Sequence, residues 1–69
     1  MKADKEYLKK VGMEFKIERI RQGLSREALA DRSKVCSRTI FQLEKANDIK
    51  LITLKALADA LGKPLRDFV

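Results

Sequence analysis

The chain has no histidine, no tryptophan, a single cysteine and a single proline. Cys36 alone cannot close an intrachain disulfide, and without histidine the usual zinc patterns cannot be assembled, so neither a crosslink nor a metal is expected to hold the fold. The same lack removes Ser–His and Cys–His nucleophile pairs, and no glycine-rich phosphate loop surrounds Gly12, Gly23 or Gly62. No enzymatic activity and no cofactor are expected. No apolar run exceeds three residues, as at Ala28-Leu29-Ala30, against the ~20 residues that span a bilayer. Met1-Lys2-Ala3-Asp4 leads into no signal-peptide stretch, so the expected location is the cytoplasm, with no membrane partner.

What remains is a small basic chain. Its 69 residues carry 16 Lys and Arg against 10 Asp and Glu, a formal charge of +6. A chain near 60 residues hides only ~60% of the surface it exposes unfolded, so a single domain over 1–69 with one core is the ceiling. The basic surplus attracts polyanions, nucleic acid before anionic lipid, but charge alone does not choose between them. Spacing has to decide.

Apolar residues recur at three and four places and never alternate over a strand's length, which predicts an all-α fold. A first helix is expected after the N-cap Asp4, running to about Gln22, with Gly23 in the left-handed C-cap position. Leu8, Val11 and Phe15 form its core stripe. Met13, Ile17 and Ile20 form a second stripe, available to a partner. Ser25 caps a short second helix from Arg26 to about Arg32, and a third runs from about Ser37 to Lys45 with Ile40 and Leu43 inward. A fourth spans about Leu51 to Leu61, with Leu54, Leu57, Ala58 and Leu61 inward and Gly62 as its C-cap. Pro64 then opens a terminal turn through Phe68.

Two short helices joined by a tight turn, the second with a polar start, are the geometry of a helix-turn-helix. From Leu24 to Glu44 the chain reads LSREALADRSKVCSRTIFQLE, which resembles the Cro/C1-type (XRE-like) helix-turn-helix family of phage repressors and bacterial regulators. The continuation LITLKALADALGKPLRDF resembles that family's fourth and fifth helices, so the resemblance covers roughly residues 11–68. It implies a compact bundle of five short helices, a lambda-repressor-like DNA-binding domain in which helices 2 and 3, about residues 25–45, form the helix-turn-helix.

The family's positions carry over one by one. Ala30 matches the small residue where the two helices cross, and Leu29, Val35, Ile40 and Leu43 match its apolar core. Arg19 and Glu44 match a pair that bridges the first and third helices, and the Arg fork suits a partly buried carboxylate. Ser37, Arg38 and Gln42, flanked by Thr39 and Phe41, match the positions that read base edges. Arg38 suits guanine, Gln42 adenine, and Phe41 a thymine methyl. Arg26 matches a phosphate contact at the start of the second helix, and Lys34, Lys45 and Asn47 are weaker candidates along the backbone. Lys9, Lys63 and Arg66 are expected in solvent.

The chain also departs from the pattern. Lys34 stands where the family prefers a glycine with positive φ, at a cost of roughly 1 kcal/mol. Cys36 replaces a Ser or Thr cap, leaving Ser37 to take over that task. Ala46 replaces a glycine in a linker expected to be one residue short, with Ile49-Lys50 where proline and serine are common. No low-pKa neighbourhood for a redox role of Cys36 can be read from these residues.

Taken together, the resemblance implies a sequence-specific regulator of transcription that binds double-stranded DNA, a dimeric repressor inserting helix 3 in the major groove. Candidate homodimer contacts are Leu65-Phe68-Val69 and the Met13/Ile17 stripe, both of which could equally complete the monomer core. The alternative is a protein-interaction module on the same fold, an antitoxin or adaptor, signalled by apolar Phe41, Ile49 and Ile52 where polar residues are usual.

Overall fold

A computed structural model describes residues 4–69; of the domain expected over 1–69, the first three residues lie outside the described part. Four α-helices follow one another: α1 (Lys5–Arg21), α2 (Arg26–Ser33), α3 (Ser37–Glu44) and α4 (Leu51–Ala60). The expected fifth helix is a single 3-10 turn, Leu65–Asp67, too short for an α-helical ladder. Helix α2 packs against both α3 and α4, α1 lies across α3, and the terminal turn closes on α4.

Local chemistry explains the boundaries. Asp4 Oδ1 accepts from the backbone N–H of Glu6 (3.0 Å) and Tyr7 (3.3 Å), satisfying donors that α1 cannot use internally. At the other end Gly23 sits at φ 71, with Gly23 N–H donating to Ile20 O (2.9 Å) and Leu24 N–H to Arg19 O (3.0 Å). That pair of bonds is the Schellman closure. Gly62 (φ 76) closes α4 in the same way.

The core is one cluster drawn from every helix, including Phe15, Leu29, Ile40, Leu43, Leu57 and Phe68. Each such side chain removed from water contributes about 1.5–3 kcal/mol before entropy is counted. Phe68 stacks on Phe15 with ring centroids 4.1 Å apart and planes 10° from parallel. It therefore completes the core instead of meeting a partner. Leu8 is half-buried and is not among the side chains packed into the core, short of the position expected for it. Met13, Ile17 and Ile20, by contrast, are exposed, as is Val69.

Gly12 decides how closely α1 and α3 approach. It is buried in mid-helix, where glycine ordinarily weakens a helix by roughly 0.5–1 kcal/mol. A Cβ built there would overlap the carbonyl oxygen of Leu43. The missing methyl lets the two backbones touch.

A second tie joins the end of α1 to the end of α4. Buried Glu18 accepts from Gln22 Nε2 (2.9 Å), which also donates to the carbonyl of Leu61 (2.7 Å). Lys63 Nζ lies 3.4 Å and Arg21 Nη1 3.5 Å from the same carboxylate. The Gln22 hydrogen bond, helped by Lys63 and Arg21 and opposed by burial, holds the Glu18 carboxyl below its ordinary value. Lys63 is thus not the free solvent lysine expected from its position, because the turn at Gly62 folds it back over α1.

Candidate nucleic-acid interface

Ser25 caps α2, its Oγ accepting from Ala28 N–H at 3.0 Å. The turn after α2 is made by Ser33, whose Oγ accepts from Val35 N–H (3.1 Å), and by Lys34 at φ 64. Lys34 N–H donates back to Ala30 O at 2.8 Å, so a lysine occupies the left-handed position that glycine would fill without strain. Cys36 is the N-cap of α3 and makes no side-chain cap bond. Ser37 does not take over, since it is already the first helical residue and its backbone is committed to the helix.

Helix α3 is divided sharply between two faces. Ile40 and Leu43 are 1% and 2% exposed and seat the helix on the core. Arg38, Phe41 and Lys45 are exposed on the other side, while Ser37, Thr39 and Gln42 are half-buried. Positions 38, 41, 42 and 45 recur at three and four and therefore share one helical face. The Arg38 and Gln42 side chains make no hydrogen bond or ion pair among the described residues. Their donors and acceptors are available.

The far end of α3 is anchored by Glu44, whose side chain is 4% exposed. Arg19 grips it as a fork, with Nε 2.8 Å from Oε2 and Nη2 3.4 Å from Oε1, while Arg19 Nη1 donates to Leu24 O at 2.8 Å. A carboxylate at a helix C-terminus opposes the helix dipole, and the two-point Arg grip offsets that cost. The pair joins α1 to α3 as the resemblance implied.

Arg26 does not stand free at the start of α2. Its Nε lies 3.0 Å from Glu44 Oε1, and its guanidinium sits 5.1 Å from the centre of the Phe41 ring. Lys45 Nζ is 5.3 Å from the same ring. Phe41 is therefore a shared platform for two cations, an arrangement worth about 0.5–1 kcal/mol at an exposed site. Beside it opens a concavity of about 270 Å³ lined by Lys16, Arg26, Phe41, Glu44 and Lys45. The sequence offered no signal for Lys16, because its place here depends on how α1 crosses α3.

After Lys45 the chain turns at Ala46, φ 69. Ala46 N–H donates to Leu43 O (3.0 Å) and Asn47 N–H to Gln42 O (3.1 Å), a Schellman closure built on an alanine. Asn47 and Lys34 are both exposed. The site thus brings Arg26, Phe41 and Lys45 together around Glu44, and leaves Arg38 and Gln42 as an open face.

A helix-turn-helix family model matches residues 15–68, which holds the C-terminal part of α1, α2, its turn, α3, α4 and the terminal 3-10 turn. The chain belongs to the Cro/C1-type helix-turn-helix family. No curated protein and no solved structure matches it significantly. Membership makes it a DNA-binding helix-turn-helix regulator of the general kind, on an all-helical lambda-repressor-like domain. No helix among the described residues is long and apolar enough to cross a membrane, and none of them group as a metal site.

Proposed function

We propose that this family member is a sequence-specific repressor of transcription, cytoplasmic and nucleoid-associated, that occupies its operator as a homodimer with α3 in the major groove of double-stranded DNA. One observation carries the reading: the inward face of α3 is fully spent on the core, while Arg38 and Gln42 stand on its outward face with unused hydrogen-bonding groups. Arg38 and Gln42 are assigned to base edges, with Ser37 at the helix start and Thr39 and Phe41 beside them. Arg26, Lys34, Lys45 and Asn47 are assigned to the backbone. The dimer follows from information content, since one recognition helix covers too few base pairs to single out a site in a genome. With Phe68 in the core, the Met13/Ile17/Ile20 stripe of α1 and Val69 are the exposed contact candidates left among those named from the sequence.

Selection of bound duplexes from a random pool tests this. The wild type should enrich an inverted repeat with half-sites about one helical turn, ~34 Å, apart. Arg38→Ala and Gln42→Ala should each relax one base-pair position per half-site, worth ~1–3 kcal/mol of discrimination, and leave nonspecific binding nearly intact. Identical preferences in all three proteins refute the assignment of this face.

Leu51 and Ile52, 67% and 74% exposed, favour a second reading in which the main partner is a protein. The salt response separates the two. A dimer meeting six to ten phosphates gives a log K against log salt slope on the order of −5 to −9, whereas a flat response on random duplex puts the protein partner first.

A further inference from the structure

Charge around the concavity beside Phe41 does not balance. Two arginines face one carboxylate, and Arg19 already satisfies it as a fork while spending its last nitrogen on Leu24 O. Arg26 contributes only Nε, so its two terminal nitrogens have no partner among the described residues. Lys16 and Lys45 line the same concavity and pair with no carboxylate among the described residues. The rim therefore holds three cations and one carboxylate that is already engaged.

We propose that this concavity seats one phosphodiester group of the DNA backbone, with Lys16 on α1 as a phosphate ligand beside Arg26 and Lys45. The inference rests on the DNA-binding reading and adds to it a residue outside the helix-turn-helix. A phosphodiester carries one negative charge on two free oxygens, which matches the terminal nitrogens of Arg26 and two ammonium groups. At about 270 Å³ the space is several times the ~30 Å³ share of a water molecule. It accepts a phosphate with part of its hydration. Arg26 is held beforehand by Glu44 and by the Phe41 ring, so less side-chain entropy is lost when the anion arrives. Phe41 acts here as a positioning residue, holding Arg26 and Lys45 over one ring.

The test uses a duplex recovered by the random-pool selection and replaces its phosphates one at a time with neutral methylphosphonate. The wild type should lose affinity at one phosphate per half-site that Lys16→Gln no longer senses, while Lys16→Gln keeps wild-type sensitivity at the others. Its salt slope should be smaller by about 1 for each half-site it contacts. Lys16→Arg should restore both readouts, and unchanged melting temperatures exclude misfolding as the cause. Unaltered affinity of Lys16→Gln, or a loss of affinity with every methylphosphonate sensitivity retained, overturns the inference and leaves the DNA-binding reading standing. Failure of the wild type to bind any duplex overturns both.

Discussion

Replacing Gly12 by alanine sets two effects against each other. In an unstrained helix interior the change stabilises by roughly 0.5–1 kcal/mol, because glycine loses more backbone freedom on folding. Here the added Cβ overlaps the carbonyl oxygen of Leu43. The Cβ position is fixed by the α1 backbone and the oxygen belongs to the α3 backbone, so no side chain can swing aside. Helices α1 and α3 must separate instead. That separation loosens Val11 and Phe15 against Leu43 and stretches the Arg19 fork on Glu44. Overpacking of a tight core costs typically ~1–3 kcal/mol, and weakening a buried ion pair adds to it. We expect a net destabilisation of about 1–3 kcal/mol, against a total of roughly 3–10 kcal/mol for a domain of this length. Urea unfolding followed by far-ultraviolet circular dichroism would show a lower midpoint with an unchanged slope. A variant as stable as wild type, or more so, would falsify the close approach of α1 to α3 and the packing built on it.

The Arg19–Glu44 pair predicts a non-additive cycle. Arg19→Met strands a carboxylate that keeps only Arg26, so it should cost about 2–4 kcal/mol, and more than the Arg19→Met/Glu44→Leu double change; additive losses in thermal melts would mean that the pair carries no coupling. Ala46→Gly, at φ 69, should raise stability by about 1 kcal/mol, as the left-handed strain is removed. A lowered melting temperature would contradict that backbone geometry. For Glu18 the folded value lies below the unfolded 4.5, so its contribution is present above that value and lost as pH falls through the folded one. Glu18→Gln should therefore flatten the dependence of melting temperature on pH in the acid range, and an unchanged dependence would show that the carboxylate is not held by Gln22 and Lys63.

Local features of the chain were legible in the sequence because their causes lie within a turn or two of the residue concerned. The Asp4 and Ser25 caps follow from side-chain oxygens accepting from backbone N–H groups two or three places away, and the closures at Gly23 and Gly62 from glycines free to turn left-handed, whereas the left-handed Lys34 and the bare Cys36 cap were reached through the family pattern. The inward pattern of Ile40 and Leu43 was likewise carried by helical period. Arg19 with Glu44 was reached only through resemblance to the family, since no spacing rule joins residues 25 apart.

The tertiary structure decided everything that depends on how the helices cross. Gly12 looks like a helix defect until α3 is laid against it. Arg26 was matched to a phosphate contact through the family, but only the fold sets it, 18 residues from Glu44, between that carboxylate and the Phe41 ring. Phe68 was a candidate partner contact until it stacked on Phe15, and Lys63 a solvent lysine until the turn at Gly62 brought it to Glu18. Lys16 joined the concavity by the same route. The physical reason is common to all of them: helical period says which residues share a face, but the angle and depth at which two faces meet are set by packing all the helices together.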